Sequence, residues 1–165
     1  MSVDQIFLLQ FALSIVVCTL VAIRISPALN NLEWSDAMFW LTVPHALRHL
    51  GLVFLVPGVV AESMPGGFAA EAGYGDLSSA VAGILTLIAL WRGRIVAVPL
   101  LWALNIVGVF DLMNALRQLE AVPHFNAAWY IPTFVVPVLL VTHAMMIIRL
   151  IRHATGSRLT ADQPQ

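Results

Sequence analysis

Long apolar runs divided by short polar breaks dominate this chain. Five such runs stand out: Gln5 to Ile25, Phe39 to Val60, Leu77 to Trp91, Ile95 to Asn114 and Ala128 to Ile148. A helix needs about 20 apolar residues to cross a bilayer core, within a range of about 17–25. Four runs meet that length, and the third is short. The breaks between them carry helix punctuation. Ser35 and Asp36 can accept from the orphan amides that open the second run. Pro65-Gly66-Gly67 ends it, and Gly73-Tyr74-Gly75 leads into Asp76, which reads as the N-cap of the third. Arg92-Gly93-Arg94 leaves room only for a tight turn between antiparallel helices three and four. The first run lacks the positive n-region of a cleavable signal, carrying Asp4 instead, and is read as a helix of the mature chain. Residues 1–152 thus form a single transmembrane helical domain, and 153–165 a polar, disordered cytoplasmic tail.

Composition agrees with this pattern. The chain has 165 residues, 60% hydrophobic and 10% charged, where soluble domains run near half apolar and a quarter charged. The expected fold is therefore all-α, a bundle of five transmembrane helices. Arginines orient it. Arg24, Arg92, Arg94, Arg149, Arg152 and Arg158 all fall on one side of a five-span chain, which the positive-inside rule makes cytoplasmic. The N-terminus is then outside and the C-terminus cytoplasmic. Trp34, Trp40, Trp91, Trp129 and Tyr130 gather near span ends, as belt residues do.

Charge and cysteine content remove whole classes of chemistry. The formal net charge is −1 and every basic residue is arginine, with no basic run for nucleic acid. Absence of lysine excludes Schiff-base chemistry. Cys18 is the only cysteine, so one chain can form neither an internal disulfide nor an iron–sulfur cluster; it reads as a small buried residue. Ser14, Ser78 and Ser79 have no nucleophile-elbow motif around them.

The chemistry lies in polar residues inside the runs. A charge at the bilayer centre costs at least about 2.5–3.5 kcal/mol on insertion scales, so such a residue faces the bundle interior. At about 100° per residue, His49 falls about 40° to one side of His45 and Arg48 about 60° to the other, on one helix face. Pro44, just before them, removes a helical amide and leaves the Trp40 carbonyl free. Helix four adds Asn105, Asp111 and Asn114, with Gly108 between them. Helix five adds His143 beside Thr142, with a second kink candidate at Pro137. A rise of about 1.5 Å per residue puts His45 and His143 at matching depth and Asp111 further out, a wide gap for a direct pair with Arg48. Helices one and three offer Gln10, Ser14, Ser79, Gly83 and Thr86, read as helix contacts. Asp76 with Glu71 and Glu62 can bind a divalent cation but reads first as a solvated loop with a helix cap, and His124 and His153 as solvated positions.

Three readings fit this set. His45, His49, His143 and Arg48 can bind a cofactor: haem b through two axial histidines with Arg48 on a propionate, or a divalent metal held by His45, His49 and His143. The polar set can line a path for a small solute or proton. It can also do no more than fix helix packing, with Arg48 and Asp111 as mutual charge partners and the histidines satisfying carbonyls freed by Pro44 and Pro137. The partners expected are the lipid bilayer, a small ligand and further copies of the chain, with no nucleic acid. The phrases "GLVFLVPGVV", "GYGDLSSAVAGILTLIAL" and "YIPTFVVPVLLVTH" resemble those of small bacterial inner-membrane proteins, which implies a bacterial inner (cytoplasmic) membrane.

Overall fold

A ring of four helices with a fifth laid against its outside is the architecture of this chain. The computed structural model describes residues 1–161; helix α1 spans Val3–Asn30, α2 Trp34–Ala46, α3 Phe68–Trp91, α4 Ala97–Arg117 and α5 Val136–Ala161. No strand occurs among the described residues. Helix α2 packs on α3, α3 on α4, α4 on α5 and α5 back on α2, which closes the ring, while α1 lies chiefly along α5. Five helical segments are long and apolar enough to cross a membrane, as the run pattern predicts. Apolar side chains cover the outside of α1, where only Phe7 and Ala22 are buried.

Three departures from the sequence reading matter. First, α3 begins at Phe68, not near Leu77, and is long and apolar enough to cross a membrane. The glycines read as a break lie inside it and serve close approach. A Cβ on Gly75 would collide with the Asp111 carboxylate, and one on Gly73 would stand 3.1 Å from Leu55. Ala72, Asp76, Ser79, Gly83, Thr86 and Leu90 recur at steps of four and three, one face of a single helix turned toward the ring.

Second, the α2 span changes geometry at Leu47 and continues to Leu55 as a 3₁₀ helix. With about three residues per turn, positions three apart eclipse one another. The buried residues obey that period: His45, Arg48, Gly51 and Phe54 form one column against α3. Gly51 is required there, because a Cβ would run into Asp76.

Third, α5 is preceded by 3₁₀ turns at Leu119–His124 and Asn126–Trp129 and by a π turn at Ile131–Val135. Pro132 lies in the π turn, and Thr133 donates back to the Trp129 carbonyl at 2.7 Å. At its other end α5 runs on through 153–161, so that part of the expected tail is helical; 162–165 lie outside the described residues. His153, expected in solvent, stacks on Trp34 with ring centroids 4.4 Å apart. His124 is held by a 3.0 Å hydrogen bond with Ser63. The caps expected at Ser35 and Asp36 are not used: α2 starts at Trp34, with Glu33 at its N-cap position and no side-chain cap. Of the aromatic residues near span ends, Trp40, Trp91 and Tyr130 are exposed, while Trp129 donates to Gln10 at 2.6 Å.

Candidate functional site

Arg48 is the hub of the polar interior. Its side chain is fully enclosed, at 0% exposure, and its guanidinium is satisfied by three groups from two helices. The Nε donates to Asp76 Oδ1 of α3 at 2.7 Å, Nη1 to the Gly108 carbonyl of α4 at 3.3 Å, and Nη2 to Asp111 Oδ2 of α4. A planar fork with five donors suits this arrangement, since it can meet several acceptors in different directions at once. The carboxylates are less enclosed, with Asp76 at 13% and Asp111 at 21% side-chain exposure.

The 3₁₀ turn builds this hub. Turning by about 120° per residue rather than 100° carries Arg48 into line with His45. The same geometry swings His49 away from both. His49 is exposed, and its Nδ1 pairs with the Ala46 carbonyl of its own helix at 3.0 Å. The expected common face of His45, Arg48 and His49 is therefore corrected: His45 and Arg48 share it, and His49 does not. Asn114 is likewise exposed and lies outside the polar core.

His45 and His143 do meet, with ring centroids 4.0 Å apart at 51°. Their hydrogen bonds assign their tautomers. Asn105 donates its amide to the Leu101 carbonyl at 2.7 Å, so its Oδ1 must accept from His143 Nδ1 at 2.9 Å. Thr142 donates its hydroxyl to Val138 at 2.9 Å, so it accepts from His45 Nε2 at 3.0 Å. Each ring thus donates from one nitrogen. The other two, His45 Nδ1 and His143 Nε2, are buried and have no partner among the described residues. Gly108 makes room for this packing: a Cβ there would lie 2.7 Å from His143 Nε2 and 3.1 Å from Arg48 Nη1. Neither histidine turns to a carbonyl released by a proline.

These contacts bear on the expected cofactors. No group of three His, Cys, Asp or Glu side chains able to hold a metal forms among the described residues, since His49 points elsewhere. The two buried rings touch, so a haem plane has no space between them as they stand, and Arg48 is already occupied by carboxylates.

Beside the hub lies a cavity of about 230 Å³. Arg48, Asp76 and Asp111 are its charged lining residues, and most of the remaining wall is apolar. Phe7, Phe54, Phe68 and Phe125 form an aromatic cluster along it, with Phe54 and Phe68 edge to face at 5.9 Å. The irregular helical segments flank it: the 3₁₀ turn supplies Leu47, Leu50 and Gly51, and the π turn supplies Ile131, Pro132 and Phe134. Leu47, Leu50, Leu119, Tyr130 and Phe134 line it and are also exposed, so the mouth of the cavity lies among them. On the other side of Asp111 a second hollow lies between α3 and α4, lined by Ser78, Phe110 and Asn114.

Asp76, expected as a helix cap in a solvated loop, lies instead inside α3 on Arg48, and the cavity has no counterpart in the sequence reading. A signal for Asp76 was present in the four-and-three spacing from Ala72 to Leu90, which runs through it. Against known proteins, the family described as Domain of unknown function (DUF8737) matches residues 6–151. No curated protein and no solved structure matches the chain.

Proposed function

The chain belongs to that family, whose matched region encloses the hub and the cavity, and we propose that it is a membrane protein that binds a small amphiphilic molecule drawn sideways from the lipid. One observation carries this reading: an apolar cavity of about 230 Å³, with exposed apolar side chains at its edge and a built charge cluster on its wall. Ligand sites are concave and mostly apolar, with a few placed polar groups. An apolar cavity of about 150 Å³ holds benzene, so this one has room for a ring and a small headgroup. Charged residues inside a membrane domain face such sites because burying them without a role is costly. The protein sits in this reading with its N-terminus outside and its C-terminus cytoplasmic, as the arginines favour.

Photolabelling tests the proposal. The protein in lipid nanodiscs is exposed to a ring-sized, lipid-soluble aryl diazirine and the labelled residues are mapped by mass spectrometry. Saturable labelling of Leu112, Leu116 and Leu139, which line the cavity, is expected. Labelling confined to outward side chains such as Leu20, rising linearly with probe, would overturn it.

A further inference from the structure

The hub is one positive charge short. Arg48 faces two carboxylates, Asp76 and Asp111. The neighbouring histidines do not make up the difference. His45 and His143 each donate from one nitrogen, and the other nitrogen of each is buried where a second N–H would find no acceptor, His143 Nε2 lying near the guanidinium. The carboxylates are also the more exposed partners, and both line the cavity. An uncompensated charge in surroundings of low dielectric is costly, and an opposite charge placed beside it is held strongly.

The remaining wall suits the same partner. Aromatic faces attract cations within about 6 Å of the ring centre, most strongly where water is excluded. Phe7, Phe54, Phe68 and Phe125 supply such rings, and Tyr130 and Phe134 stand at the mouth.

We infer that the molecule bound in this cavity is a small lipophilic cation, an organic amine or quaternary ammonium with one ring-sized apolar body, whose charge completes the Arg48–Asp76–Asp111 cluster. This rests on the binding function proposed above. An anion would meet the carboxylates and is excluded from the site, while a neutral amphiphile fills the cavity but leaves the cluster unbalanced.

Competition against the aryl diazirine in nanodiscs tests this with three probes of one shape. Benzyltrimethylammonium carries the charge, neopentylbenzene replaces its nitrogen with carbon, and phenylacetate reverses the sign. With concentrations expressed per lipid, the cation is expected to displace the label at least ten-fold better than the neutral isostere, and phenylacetate to displace none. Asp76→Asn, which leaves Arg48 paired one to one with Asp111, is expected to remove the cation's advantage. Saturable labelling displaced equally by the cation and its neutral isostere overturns the inference and leaves the binding site standing; a proton resident on the carboxylates would produce that result. Stronger competition by phenylacetate overturns it as well. Absence of saturable labelling removes the site itself, and the inference with it.

Discussion

Asp76 accepts from Arg48 Nε at 2.7 Å although the two residues belong to different helices and stand 28 positions apart in the chain. That bond joins the 3₁₀ part of the second span to the middle of the third, and Asp111 joins the same guanidinium to the fourth. One side chain thus ties three spans together.

The hub's charges are unequal, so its members should respond unequally to removal. Arg48→Met strands two carboxylates and should cost about 3–5 kcal/mol, the range for breaking a buried pair. Asp76→Asn leaves a one-to-one pair and should cost much less. The combined change Arg48→Met, Asp76→Leu, Asp111→Leu should recover most of the loss of Arg48→Met, since replacing a whole buried ionic group by apolar residues is often neutral. Thermal denaturation in one detergent ranks the three variants. Equal losses for Arg48→Met and Asp76→Asn would contradict the unequal balance.

Glycines at the contacts should be intolerant of even a methyl group. At Gly83 a Cβ would lie 2.9 Å from the Ala46 backbone nitrogen, which cannot move without shifting α2. Gly83→Ala should therefore cost about 1–3 kcal/mol, as overpacking does. Gly66→Ala, with nothing within 4 Å, should leave the melting temperature unchanged. Parallel melting curves check the pair, and a silent Gly83→Ala would show that α2 and α3 are less closely packed.

Two histidines that look alike in sequence should behave differently. His49→Ala removes an exposed ring and should stay within about 0.5 kcal/mol of the parent. His143→Ala strips a buried partner from Asn105 Oδ1 and should cost about 1–3 kcal/mol for the unmet group. Chemical denaturation of the purified variants measures both. A costly His49→Ala would restore that residue to the interior.

These histidines also mark what could be read in advance. Five spans, and the depth match of His45 with His143, followed from apolar run lengths and helical rise. His49 and Arg48 were placed by α-helical angles, and the chain departs from those angles at Leu47. The three-residue period of His45, Arg48, Gly51 and Phe54 records that departure in the sequence. Asp76 was hidden by the habit of reading Gly73 and Gly75 as breaks, whereas here they admit Leu55 and the Asp111 carboxylate. The cavity had no linear signature, because its wall is assembled from all five helical segments and from a π turn that contains Pro132.

The most direct test of the binding function compares the parent chain with Ala72→Leu, which puts three more carbons into the cavity wall. Diazirine labelling of both, titrated in the same nanodiscs, should saturate at Leu112 and Leu139 in the parent and lose that component in the variant, with the melting temperature kept. Identical saturable labelling in the two proteins would contradict the account.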